Sequence, residues 1–219
     1  MSCRTTHHLD RTGRLCNVLW VLALTLSVGA SELFGQAASQ STVTAAAIPP
    51  AAVQIAAAVL PAPADLRETA TVLGYDASGK FVKLRQGTGA LTCLASDPKA
   101  ERFHVACYHK AMEPFMARGR ALRSEGVKAE LVDSVRFREV RRGKLVMPTQ
   151  PAVLYSLTGK PGSFDPVSGT LAGARQLFVI YVPGATAQSL GISAVPAEGI
   201  PWVMNPGTPK AHIMFVPRM

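Results

Sequence analysis

The groups best suited to chemistry lie in the last third of the chain, where Trp202, Asn205, Thr208 and His212 share one Pro/Gly-rich segment that runs into an apolar stretch. An imidazole beside such a loop can accept a proton. With a carboxylate to orient it and a hydroxyl beside it, the set becomes the constellation of nucleophilic hydrolysis. Asp165 or Asp97 would supply the carboxylate, and Ser163, Ser168 or Thr208 the hydroxyl. No G-x-S-x-G elbow prepares any of these hydroxyls for attack. The expectation is therefore a non-catalytic pocket rimmed by Arg175, Trp202, Asn205, Thr208 and His212, with a hydrolase built on His212 and Asp165 as the alternative. A histidine beside a strand also serves as a buried hydrogen-bonding residue, and substitution of His212 separates these roles.

Cys93 and Cys107 enclose 13 residues. Closing that loop with a disulfide stabilises the fold by about 3 kcal/mol on the chain-entropy account. His104 and His109 lie close by in sequence, so a two-Cys, two-His metal set of Cys93, His104, Cys107 and His109 competes with the disulfide. The spacing is not that of a zinc finger, and an exported cysteine pair is normally oxidised. The disulfide is expected, with no metal and no cofactor. Haem-attachment and dinucleotide fingerprints are absent, and Gly87-Thr88-Gly89, with no Lys-Ser/Thr after it, reads as a tight turn rather than a phosphate loop.

Charge is concentrated in the middle of the chain. Residues 99–144 hold 12 basic and six acidic side chains. Such an excess attracts anionic lipid headgroups, cell-wall polymers or stray nucleic acid over long range, and the expected partner is an anionic envelope component, a small molecule or a protein. Aromatic residues for base stacking are few, which argues against specific nucleic-acid binding. Acids such as Glu113, Glu125, Glu130 and Glu139 alternate with the arginines, so the plain reading is a solvated helix face.

Three short pieces resemble a group of exported bacterial proteins of unassigned function: Val82-Lys83-Leu84-Arg85-Gln86-Gly87-Thr88-Gly89, the Cys93 and Cys107 pair, and Pro206-Gly207-Thr208-Pro209-Lys210-Ala211-His212-Ile213-Met214. The resemblance implies an exported domain with a disulfide. It carries over no catalytic residue.

The elements that must position these groups follow from patterning. Across 219 residues, 48% hydrophobic and 17% charged with a net charge of +9, a wholly disordered chain is excluded and one domain is expected. Arg4, Arg11 and Arg14 precede an apolar run from Val18 to Val28 and small residues, the layout of a secretory signal cleaved after Ala37 or Ala30. That run is shorter than the roughly 20 residues a spanning helix needs, so no transmembrane segment is expected after cleavage and the product is periplasmic or secreted. Residues 38–64, uncharged and rich in Ala and Pro, read as a spacer before a single domain at 65–219. The competing possibility is that Val53, Ile55, Val59 and Leu60 dock on the domain as a helix. Asp65 and Glu68 form a D-x-x-E capping pattern.

Within the domain, strands are expected at 71–75, 81–85 and 91–94 as a hairpin or meander. Helices follow near 112–124 and 128–142, the second with Leu131, Val132, Val135 and Val140 on its apolar face, and further strands lie at 152–157, 176–182 and 211–216. Strands, then two helices, then strands give an α+β fold: a mostly antiparallel sheet with both helices on one face.

Overall fold

The computed structural model describes residues 47–217, which fall in one compact unit. The proposed signal segment, 1–37, lies outside the described residues. Eight strands form one mixed sheet: β1 (Thr71–Tyr75), β2 (Phe81–Arg85), β3 (Leu91–Leu94), β4 (Phe103–His109), β5 (Ala152–Gly159), β8 (Arg175–Tyr181), β9 (Trp202–Met204) and β10 (His212–Phe215). Their order across the sheet is β2-β1-β3-β4-β5-β8-β10-β9. A separate two-stranded hairpin, β6 (Phe164–Asp165) and β7 (Thr170–Leu171), lies within the connection from β5 to β8.

All sheet pairings are antiparallel except β1 with β3. Of the hairpin or meander expected here, β1 and β2 form the hairpin, and a crossover rather than a meander follows, because β3 returns to the far side of β1. The Gly87-Thr88-Gly89 loop makes that crossing over the start of β1. A Cβ on Gly87 would lie 2.2 Å from the Thr69 carbonyl oxygen, and Gly89 N donates to that oxygen at 2.8 Å. Close backbone approach explains the glycine at 87, and the tight-turn reading is corrected accordingly.

Of the stretch read as a spacer, residues 38–46 lie outside the described residues, and in the remainder the docked-helix alternative is the one that forms. Helix α1 (Ala51–Ala58) packs on the sheet, with Ala58, Val59 and Ala62 in one core cluster with Val72, Leu91, Cys93 and Cys107. Gln54 fixes its position. The amide donates to the Tyr75 carbonyl at 2.8 Å and accepts from Tyr75 N at 2.9 Å, in effect adding a strand-like pairing to β1. A Cβ at Gly74 would lie 2.6 Å from Gln54 Oε1, so this docking requires glycine there. Small alanines let the helix backbone approach the sheet closely, which is why an Ala/Pro-rich composition suits a helix in contact. The next turn, α2 (Ala64–Arg67), starts at Pro63 with no side-chain cap, so the D-x-x-E pattern does not form its capping bond.

On the opposite face lie α3 (Glu113–Ser124) and α4 (Ala129–Arg141), as expected of the two central helices. Pro114 sits in the first turn of α3, where its missing N–H costs nothing. Phe115 and Leu122 turn inward from α3, and Met112, from the 3-10 turn Lys110–Met112 just before it, is fully buried with them. The buried stripe of α4 is rotated from the expected one. Val132 and Arg136 are buried, with Phe137 and Val140 packed against the core, whereas Leu131 is half exposed. Arg136 can enter because its guanidinium lies 3.9 Å from the Phe115 ring centre, donates to the Phe115 carbonyl and pairs with Asp133.

Strand β4 was not anticipated from the sequence, and it is central to the sheet. Its alternation places Cys107 and Val105 on the α1 face and Tyr108 and Ala106 on the α3 face. The short β9 and the one-turn α5 (Ala187–Leu190), closed by a Thr186–Ser189 capping box, lie between the strands expected at 176–182 and 211–216, where no element is expected from the sequence.

Candidate functional site

The groups assigned to a C-terminal site do not converge on an open site. His212 is 7% exposed, its ring lies against Tyr181 at 5.3 Å between centres, and Nδ1 donates to the Lys210 carbonyl at 2.6 Å. That bond fixes the tautomer, since a carbonyl only accepts. Burial lowers the imidazole pKa below its ordinary value. Lys210 in turn pairs with Asp133 at 2.8 Å, and Asp133 also pairs with the buried Arg136, so a partly exposed ionic network ties the final loop to α4. Burial works against the charge of Asp133, but its two cationic partners hold the carboxyl below the usual carboxylate range.

Asp165 is elsewhere. Its hairpin joins the Thr158–Arg175 end of the β5/β8 ladder, whereas His212 pairs with Tyr181 at the other end of β8. Six residues of strand separate the two ends, about 20 Å. Asp165 accepts from Val167 N and Ser168 Oγ, and Ser163 Oγ donates to the Lys160 carbonyl, so these groups shape their own turn. Thr208 Oγ1 donates to the Asn205 carbonyl, and Asn205 takes a left-handed φ of 51° to allow the bend. Trp202 is buried in β9, and its Nε1 has no hydrogen-bond partner among the described residues. Thr208 alone borders a depression, a shallow one of about 410 Å³ between α4 and the loops at Pro183 and Pro209.

The metal set is not assembled either. Cys93 and Cys107 face each other across β3 and β4 and form a disulfide, with Cα atoms 3.9 Å apart and both residues fully buried beneath α1. His104 projects from the opposite face of β4, and His109 Nδ1 accepts from Ala111 N to cap the 3-10 turn. Among the described residues no group of three or more His, Cys, Asp or Glu could hold a metal ion.

What the sheet does build is a cleft of about 1100 Å³ on the α3 face, across β2, β1, β3 and β4. Its floor carries Tyr75, Phe81, Leu94 and Ala106, with Tyr75 and Phe81 edge to face at 5.2 Å. Helix α3 supplies Arg120 and Arg123 from above. The β1–β2 turn supplies Lys80, and the β3–β4 loop supplies Asp97, Lys99 and Arg102.

Arg120 is held in place on three sides. It lies over the Phe81 ring at 5.6 Å, donates to Tyr108 Oη at 3.0 Å and pairs with Glu113 at 2.5 Å. Burial raises the Tyr108 phenol well above its ordinary range, against the pull of Arg120, so it remains a neutral donor to Glu113. Lys80, Lys99, Arg102 and Arg123 have no ion-pair partner among the described residues. His104, also in the wall, shares a 2.9 Å hydrogen bond with Thr158 Oγ1, and desolvation together with Arg102 lowers its pKa.

Of the expected ligand-binding residues, only Arg175 stands near this cleft. It pairs with Thr158, which pairs with His104, giving a cross-strand row on one face. The cleft was missed because its parts come from three separated stretches of chain, and the unrecognised β4 carries the His104 wall. The basic stretch was a usable signal. Its reading as a solvated face holds for Arg118, paired with Glu125 and Glu139, and fails for Arg120. No known family model, curated protein or solved structure matches the chain.

Proposed function

We propose that this chain is an exported domain that binds an anionic small molecule or a small anionic part of an envelope component in the cleft beneath α3, without turning it over. The observation that carries this reading is the set of four cations around an apolar floor, Lys80, Lys99, Arg102 and Arg123, that have no ion-pair partner among the described residues. Apolar walls with a few convergent polar groups are the usual composition of a ligand site, and cations in a low-dielectric concavity attract anions more strongly than the same cations in open water. Export is supported by the layout of residues 1–37 and by the buried disulfide. No helix among the described residues is long and apolar enough to cross a membrane.

Titration of the exported form with octyl phosphate and with octanol tests the reading. The anion should bind in the micromolar to millimolar range, with affinity falling as salt rises, and the alcohol should bind far more weakly. Arg123→Glu with Lys99→Glu should abolish the difference. Equal binding of both compounds would refute the reading. N-terminal sequencing of that form should begin at Ser31 or Ala38.

A hydrolytic reading moves from His212 to His104, whose bond to Thr158 Oγ1 is the one imidazole–hydroxyl pair bordering the cleft among the described residues. No carboxylate bonds the other ring nitrogen among those residues, so the orienting member of a triad is missing. Ester or phosphate hydrolysis that Thr158→Ala removes would favour it.

A further inference from the structure

The sheet aligns a row of side chains that starts in the cleft and runs beyond it. The inference drawn from this row rests on the anion-binding reading above. Register sets Phe81 of β2 opposite Tyr75 of β1. Pairing of β1, β3 and β4 through Leu73, Leu94 and Ala106 carries the same row on to Ser96 and His104, and Ser96 Oγ accepts from His104 N at 3.0 Å. His104 pairs with Thr158 of β5, and Thr158 pairs with Arg175 of β8. The row thus crosses six adjacent strands, five spacings or about 24 Å. Tyr75, Phe81 and His104 line the cleft, Thr158 is half-buried and Arg175 is exposed. The β6–β7 hairpin after β5 turns to the other face, where Phe164 stacks on Phe103 at 6.2 Å, so it leaves the row open.

The row offers more than positive charge. Lys99, Arg102 and Arg123 at the cleft, and Arg175 beyond it, have no ion-pair partner among the described residues. Lys80 adds less, because Asp76 accepts from its N–H and attracts its ammonium. Asp97 also lines the cleft and accepts from Lys99 N through one of its oxygens. Tyr75 Oη and His104 Nε2 have no hydrogen-bond partner among the described residues, and burial, with Asp97 adding to it, pushes the Tyr75 phenol up to about 12, which keeps it a neutral hydroxyl. A bare anion would be repelled by Asp97, whereas a ligand with hydroxyl groups can donate to it. The rings of Tyr75 and Phe81 add apolar surface against which the C–H groups of a sugar can pack.

We propose that the ligand is a short linear run of acidic glycan lying along this row. Its carboxylates meet the cations of the cleft and Arg175, and its hydroxyls bond to Asp97, Tyr75 and His104. A compact anion would use the cleft alone and would gain nothing from Asp97 or Arg175.

The test uses the full exported protein in calorimetric titrations with tetragalacturonate, galacturonate, maltotetraose and tripolyphosphate, beside the octyl phosphate used above. Tetragalacturonate should bind about tenfold or more tighter than each of the other three. Arg175→Gln, at an exposed position, should weaken the tetramer about fivefold and leave the monomer unchanged. Asp97→Asn keeps an oxygen for Lys99 N but removes the charge, so it should weaken the tetramer and tighten tripolyphosphate.

If tripolyphosphate matches the tetramer, or if Asp97→Asn tightens both, the hydroxyls are not read and the glycan is wrong while the anion-binding cleft stands. A monomer as tight as the tetramer, or a tetramer indifferent to Arg175→Gln, would sink the row. Binding of octyl phosphate without any sugar probe would also remove the glycan alone. Equal binding of maltotetraose and tetragalacturonate, or no binding of any probe including octyl phosphate, would overturn the anion-binding reading itself.

Discussion

Two histidines divide the molecule. His212 and His104 both sit on the sheet face that carries α3 and α4, and burial lowers both imidazole pKa values. Their surroundings differ. His212 is packed against Tyr181, and its N–H is used by the chain's own carbonyl two residues away. His104 is open to a large cleft, and its neighbours include cations without ion-pair partners among the described residues. A perturbed imidazole is thus no sign of a site by itself. What separates a structural histidine from a candidate ligand-binding one is whether the groups around it are satisfied by the protein.

The contrast can be broken most severely at the disulfide, which joins β3 and β4, two of the four strands beneath the cleft. Cys93→Ala with Cys107→Ala should cost about 3 kcal/mol on the chain-entropy account. Denaturant melts give the loss, and hydrogen exchange should place the loosening in β3 and β4 more than in the β8–β10 region. In the native protein, intact mass should rise by two hydrogens on reduction, and free thiols before reduction would remove the bridge from the account.

The histidines themselves give a smaller and more direct comparison. His212→Ala leaves the Lys210 carbonyl without its donor and a void beside Tyr181, a loss of about 1 to 3 kcal/mol. His104→Ala should change stability by about 0.5 kcal/mol or less, since the Thr158 hydroxyl can turn to water. Equal melting temperatures for the two variants would contradict the division drawn here.

The smallest effect is a pH dependence. Both folded imidazoles are held below the ordinary value of 6.5, so the unfolded chain takes up protons first as pH falls. Their contribution to stability is complete above about pH 6.5 and is lost as pH drops through the lowered folded values. Thermal melts between about pH 5 and pH 7.5 should show this decline. His212→Gln should flatten it more than His104→Gln, because His212 is the more enclosed ring. A decline that both substitutions leave unchanged would assign the acid sensitivity to other groups.

Local patterning carried much of the fold. Alternation and turn residues place β1, β2 and β3 at their observed bounds, and Pro114 with Gly126 brackets α3. The α+β class follows from the order of those elements. The cysteine pairing could also be read locally, since both residues flank one short connection. These features depend on contacts between residues close in the chain, so the residue types themselves encode them.

The remaining features depend on partners far away in sequence. Phe103–Ala106 reads as part of a disulfide loop until β5 is laid beside β4, and the Ala/Pro-rich stretch reads as a spacer until Gln54 meets Tyr75. Arg136 looks like a surface charge until Phe115 and Asp133 surround it. The cleft depends most on such partners. Lys80, Arg102, His104 and Arg120 become neighbours only because β3 crosses β1 and α3 folds back over the strands, and no local periodicity records that crossing. Long-range pairing determines which charges are compensated, and hence which residues remain available to a ligand.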